Sequence, residues 1–321
     1  MAAQDQHPIG SGFGMKTTAQ EIAGDTDLTG HNYIVTDGGS GIGVETVRAL
    51  AGAGGHVTVP VRSRDKAAEA LADVPGQITI ADMDLADIAS VRRFAADCAA
   101  NGAPLHGLIN NAGVMACPLA RAGKAWEYQF AVCHLGHFAL TIGLERNLKA
   151  ANGARVVALS SIGHARSDIL WDDPHFERHE YEKWTAYGQA KTADALFAIG
   201  VDTRWQGEGV RAFSVHPGGI FTPLQRHLAE EEMVALGWKL PDGSVPPAAA
   251  ALFKTPEQGA ATSLWCALSP QLDGRGGLYC EDCDVAQLAG ADSPRWAHVQ
   301  PWACSEEGAA RLWDMTVAML R

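Results

Sequence analysis

From Tyr33 onward, short runs of β-branched residues alternate with longer stretches in which apolar side chains return every three or four positions. "YIVT" (33–36) is followed by a helical pattern from Gly43 to about Ala53, and "HVTVPV" (56–61) by one that begins near Asp65. "QITIADMD" (77–84) precedes "DIASVRRFAADCAA" (87–100), where Ile88, Val91, Phe94 and Ala95 share one helical face. "LHGLINNAG" (105–113) then supplies a fourth strand. Further on, "RVVALSS" (155–161) is a continuously apolar strand, "AKTADALFAIGVDTRW" (190–205) a helix, and "VRAFSVHPGG" (210–219) a strand ended by a Pro-Gly breaker. Strands alternating with helices predict an α/β fold whose parallel sheet is covered on both faces. Between residues 30 and 285 there is no repeat, low-complexity block or linker. The prediction is therefore one domain over 30–321 behind a flexible lead of residues 1–29. The Pro-rich "LPDGSVPPAAA" (240–250) reads as a loop within that domain.

Composition narrows the partners. The 321 residues are 47% hydrophobic and 19% charged, ordinary for a globular chain, and carry a formal charge of -12. Such a surface excludes nucleic acid and anionic membranes as natural partners, since either selects clustered Lys and Arg. A small molecule is the expected partner. Seven cysteines, an odd number scattered through a long chain, read as reduced thiols and a cytoplasmic location. Residues 1–29 hold no apolar stretch of the signal-peptide kind, and no segment is apolar for long enough to span a bilayer.

Candidate chemistry lies where strands end, because ligands of open α/β sheets sit beyond the carboxyl ends of the strands. Strand one runs into "TDGGSGIG" (36–43), where Gly41 and Gly43 allow close backbone approach and a helix N-terminus offers free N–H groups to an anion. Strand two runs into "VRSRDK" (61–66), whose Arg62 and Arg64 suit a ribose 2'-phosphate and so favour NADP(H) over NAD(H). Tyr187 and Lys191 are spaced by four, which puts both on one helical face. There the ammonium is expected to draw the phenol from about 10 toward neutrality and make it a general acid or base. Ser161, just past a strand, is placed to hydrogen-bond a substrate oxygen. Cys280 and Cys283 have the spacing of half a zinc site with no second half, so a structural turn is expected and no metal.

Together these motifs, with "DMDLAD" (82–87), "NNAG" (110–113), "HLGHFALT" (134–141), "SSIGH" (160–164), "YGQAK" (187–191) and "HPGGIFT" (216–222), resemble the short-chain dehydrogenases/reductases. The likeness is to the bacterial branch similar to retinol dehydrogenases and the WW-domain oxidoreductase, and it covers residues 28 to about 285. It implies a Rossmann-type doubly wound parallel sheet of about seven strands flanked by helices. It implies a cofactor held by Ser40, Gly41, Ile42 and Gly43, by Asp84 and Leu85 beside the adenine, by Asn111, Ala112 and Gly113 at the ribose, and by Pro217, Gly218, Ile220 and Thr222 at the carboxamide end. Ser161 would orient the substrate oxygen, Tyr187 would exchange its proton, and Lys191 would bind the nicotinamide ribose. A homodimer or homotetramer, paired through the helices that carry these residues, is implied as well.

Two positions depart from the family pattern. Asp37 replaces the first glycine of the turn, bringing a Cβ and a negative charge to a pyrophosphate site. Cys133 holds the slot of an asparagine that would complete a catalytic tetrad and hold a proton-relaying water. Asp194, after Lys191, is expected to be solvated or paired. Between Phe221 and Ala250, Leu224, Leu228, Met233, Leu236 and Trp238 suggest either an apolar lid over a hydrophobic substrate or plain helix core. The leading expectation is an NADP(H)-dependent oxidoreductase that interconverts an alcohol and a ketone or aldehyde. Asp37 and Cys133 motivate a second: the fold repurposed for a cofactor-independent rearrangement, dehydration or cyclisation. A non-catalytic binding protein is the third.

Overall fold

The computed structural model describes residues 5–321. One sheet of eight strands organises them: β1 (Asn32–Val35), β2 (His56–Val61), β3 (Gln77–Asp82), β4 (Gly107–Asn110), β5 (Arg155–Leu159), β6 (Arg211–His216), β7 (Leu278–Glu281) and β8 (Asp284–Val285). Their spatial order is β8-β7-β6-β5-β4-β1-β2-β3. Seven are parallel, as expected, and the two-residue β8 adds an antiparallel edge. The turn between β7 and β8 is Asp282-Cys283, both at positive φ (50° and 60°), the mirror-image turn that suits the twist of a hairpin. Cys280 and Cys283 are thus parts of a buried hairpin. Strand order reverses between β1 and β4, which opens a crevice at their carboxyl ends.

The principal helices are α1 (Ala19–Ala23), α2 (Ile42–Gly52), α3 (Arg64–Ala70), α4 (Ile88–Asn101), α5 (Gly136–Gly143), α6 (Lys183–Trp205), α7 (Pro256–Leu268) and α8 (Glu306–Leu320). Local chemistry sets their starts. Asp87 caps α4 by accepting from Ala89, and Glu182 caps α6 by accepting from Trp184 and Thr185. Thr255 and Gln258 form a capping box around Pro256 at the first turn of α7. Val47 and Leu50 of α2, Ala67 of α3 and Leu264 and Trp265 of α7 pack on one face of the sheet. Val91 and Phe94 of α4, Phe138 of α5 and Ala190 and Phe197 of α6 pack on the other. Helix α6 is buried on nearly every side, because β5 and β6 lie beneath it and α8 lies over it. No helix among the described residues is long and apolar enough to cross a membrane.

The N-terminal lead departs from expectation. Residues 1–4 lie outside the described residues, but from Asp5 onward the segment is seated on the domain. The Gln6 carboxamide donates to the carbonyls of Tyr279 and Ala286 (2.7 Å each) and accepts from the Tyr279 N–H (3.0 Å), while the N–H groups of Ile9, Gly10 and Ser11 converge on the Asp284 carboxylate. Helix α1 then packs on α2 and α7. The polar composition that suggested looseness instead satisfies the backbone at the sheet edge.

Candidate active site

At the end of β1 the chain turns through Asp37 and Gly41, both at positive φ (51° and 52°), into α2. No side chain caps the N-terminus of α2, and Ser40, Gly41 and Ile42 line a cavity of about 570 Å³. Uncapped N–H groups facing a cavity are suited to an anion. A side chain at Gly43 would collide with the Asp37 carbonyl and with Asn111, so that glycine serves the tightness of the turn. Asp37 is exposed, but to the cavity. The surrounding protein pushes its carboxyl up, and Arg62 and Arg226 pull it back.

A hydrogen-bonded chain joins this turn to its neighbours. The His137 ring donates from Nδ1 to the Cys133 carbonyl (2.7 Å), leaving Nε2 to accept from the Thr36 hydroxyl (2.9 Å). The Thr36 oxygen in turn accepts from the N–H groups of Asn111 and Ala112 (2.9 Å each), and the Asn111 carboxamide donates to the Thr36 carbonyl (2.8 Å). Asn111 and Ala112 therefore tie β4 to β1. Burial holds His137 at about 3, so the neutral ring persists.

Past β5, the Ser161 hydroxyl accepts from the Gly163 N–H (3.0 Å) and lies within hydrogen-bonding reach of Tyr187. Its loop is pinned by two buried histidines. His164 accepts from Gln300 at Nε2 (3.0 Å) and so donates from Nδ1 to the Ser161 carbonyl (2.6 Å). His216 accepts at Nδ1 from the Ile162 N–H (3.2 Å), and burial holds it at about 3, with Lys254 adding to the shift.

On α6, Tyr187 and Lys191 share a face as expected, with the ammonium 5.8 Å from the centre of the phenol ring. The Lys191 ammonium donates to the Leu159 carbonyl (2.8 Å) and to Asp194 (3.0 Å), and both ionic side chains are buried. Asp194 is thus paired, not solvated. Burial pulls Lys191 down, Asp194, Cys133 and Tyr187 together more than offset that, and the lysine ends above its ordinary range. Burial likewise lifts Asp194, and Lys191 restrains it. The expected fall in the Tyr187 pKa is reversed. Burial pushes the phenol above 10; Lys191 and Ser161 oppose that, whereas Cys133 and Asp194 add to it. Cys133 is fully buried, its thiol 3.7 Å from the Val114 carbonyl, and burial pushes it to about 11, partly offset by Lys191. Such a thiol stays neutral and is no nucleophile at neutral pH.

The cavity gathers Asp37, Ser40, Gly41, Ile42, Asn111, Gly113, Ser161, Tyr187, Lys191, Pro217, Gly218, Ile220 and Thr222 from the sequence expectation. Gly43, Arg62, Asp84, Leu85, Ala112 and Cys133 stand outside its lining. Arg62 is exposed past β2, Asp84 accepts from the Ala86 N–H (2.9 Å), and Leu85 is buried against α5. Tyr187, Met115, Leu228 and Met233 form one apolar cluster with Trp184, Leu224, Leu236 and Trp238, and Met115, Leu224, Leu236 and Trp238 of that cluster line the cavity beside the phenol. Missed in the sequence were Met15, Arg226, Lys254, Glu281 and Asp282, all lining the same cavity. Lys254 reaches Asp282 at 2.6 Å across nearly thirty residues of chain, and no local pattern announces such a pair.

The known proteins agree with this geometry. The short chain dehydrogenase family model matches residues 31–233. A probable oxidoreductase of Streptomyces lividans is 44% identical over 293 residues, covering 90% of this chain and 97% of its own. Retinol dehydrogenase 11 of Mus musculus is 37% identical over 298 residues, covering 91% and 87%. Among solved structures, the crystal structure of an uncharacterized protein from Mycobacterium Paratuberculosis is similar at a TM-score of 0.72 with 28% identity, covering 95% of this chain and 97% of that one. With the family's turn, strand ends and Ser-Tyr-Lys constellation assembled on its sheet, the chain belongs to the short-chain dehydrogenase/reductase family, enzymes that act on CH–OH groups with NAD(P).

Proposed function

We propose that the chain is an NADP(H)-dependent oxidoreductase that interconverts an alcohol and a ketone or aldehyde on a hydrophobic small molecule. One observation carries this reading: the Tyr187 phenol, with Ser161 and Lys191 beside it, lies beneath an apolar roof in the same cavity as the uncapped start of α2. The residues present fit a dinucleotide. Ser40, Gly41 and Ile42 would take the pyrophosphate, with Gly43 keeping the turn tight; Asp84 and Leu85 would flank the adenine; and Asn111, Ala112 and Gly113 would border the ribose. Pro217, Gly218, Ile220 and Thr222 would hold the carboxamide end, and Lys191 the second ribose. Arg62 supports the choice of NADP(H), since a guanidinium suits a 2'-phosphate. When bound, the nicotinamide gives or takes the hydride. Ser161 positions the substrate oxygen, and Tyr187 donates the proton in reduction or removes it in oxidation. Seven unpaired thiols support a reducing, cytoplasmic setting.

Asp37 favours a second reading, in which redox chemistry is lost and Tyr187 serves as an acid in a rearrangement, dehydration or cyclisation. Fluorescence titration with NADPH and NADH, followed by turnover of lipophilic ketones and aldehydes, separates the two. The oxidoreductase is expected to bind NADPH more tightly than NADH and to lose at least about a thousandfold in kcat with Tyr187→Phe. Absence of both binding and turnover would overturn it.

A further inference from the structure

The Lys191–Asp194 pair is part of the site, yet the proton transfer described above does not use the carboxylate. Each side chain of the pair is only 6% exposed. The ammonium spends one N–H on the Leu159 carbonyl and another on Asp194, which leaves the third for the cavity side. Asp194 lies one turn past Lys191 on α6, so the carboxylate approaches from the side away from the phenol. A buried cation shared with a carboxylate stabilises a nearby phenolate less than an unshared one.

We propose that Asp194 is a positioning residue whose carboxylate holds the Lys191 ammonium and divides its charge with Tyr187, so that the ammonium stabilises a phenolate less than it would alone. The inference rests on the proposed oxidoreductase reading. The charged and titratable groups that face these side chains come from several elements. On α6, Lys191 and Asp194 act on Tyr187; from the β5 loop, Ser161 reaches the phenol. From the helical segment Ala131–Leu135 that runs into α5 comes the neutral Cys133, itself influenced by Glu127; from β7, Tyr279; and facing Lys191, the neutral His137. Asp194 is the only one of these that bonds the lysine side chain directly through a carboxylate. Cys133, where the family pattern has an amide, adds no compensating charge.

The test is the pH profile of kcat/KM for alcohol oxidation, which needs the phenolate, in the wild type and in Asp194→Asn. The amide keeps the shape and removes the charge. The limb that rises with pH is expected to move at least about one unit toward acid in the variant, making it about tenfold faster at the foot of the wild-type limb. Carbonyl reduction, which needs the phenol, is expected to lose rate at a correspondingly lower pH. A limb that stays in place or moves to higher pH overturns the proposal. Should Asp194→Asn fail to fold, the ultraviolet phenolate signal is compared between the wild type and Asp194→Ser, each minus its own Tyr187→Phe counterpart: an onset at lower pH in Asp194→Ser supports the proposal, and an unmoved or later onset overturns it. That titration needs no substrate. If nothing in the substrate panel turns over, the proposed function fails while the assignment of Asp194 is still decided.

Discussion

At position 37 a carboxylate sits on a left-handed backbone, with φ at 51°, in the lining of the cavity. The backbone cost anticipated from the sequence is therefore present: the conformation disfavours a residue with a Cβ by about 1 kcal/mol. The charge would face the pyrophosphate of the proposed cofactor. Arg62 and Arg226 lie near enough to offset part of that charge. Asp37→Gly is expected to tighten NADPH about tenfold, equivalent to about 1.4 kcal/mol, as read by fluorescence titration. An unchanged affinity would show that the two arginines already neutralise the carboxylate. Tyr187 teaches the complementary lesson. Its spacing from Lys191 was legible, but the direction of its pKa shift was not, because the pattern places Asp194 on α6 without revealing how little water reaches it.

Among the elements, the segment between Phe221 and Ala250 shows how one part of the chain is fastened beside the cavity. The short helix Glu230–Ala235 is latched to the start of α6 by Glu232, which accepts from the Lys183 ammonium (2.5 Å) and from the Trp184 indole (2.9 Å). Glu232→Ala is expected to free that latch and raise KM for lipophilic substrates about three- to tenfold with a smaller change in kcat, as checked by steady-state kinetics. Strands and major helices were legible because their periodicities and strand-end glycines are local. Most residues at strand ends could be placed in the cleft for the same reason, although Arg62, Asp84 and Leu85 lie outside its lining. Lys254, Glu281, Asp282 and Met15 could not, since only the pairing of β7 with β6 and the docking of the N-terminal segment bring them to one cavity. The N-terminal segment was misread because a polar stretch that satisfies a sheet edge looks like one that satisfies only water.

In the whole molecule, α8 occupies the surface that the family resemblance assigned to subunit pairing. Ala309 and Leu312 pack with Leu196 and Ile199 of α6, Trp313 meets Phe138 of α5 edge-on at 4.8 Å, and the Thr316 hydroxyl bonds buried His134 (2.7 Å). Pairing through α6 requires α8 to leave. Deletion of residues 305–321 is accordingly expected to expose an apolar face and drive self-association, measured by sedimentation velocity against the intact chain; equal sedimentation behaviour would show that α8 covers nothing sticky. The clasp of Gln6 on Tyr279 and Ala286 carries its own consequence. Gln6 leaves a ribosome 273 residues before Tyr279 and 280 before Ala286, so the segment that begins at Asp5 has no seat until β7 and β8 have emerged. The sheet edge it closes stays open for that interval.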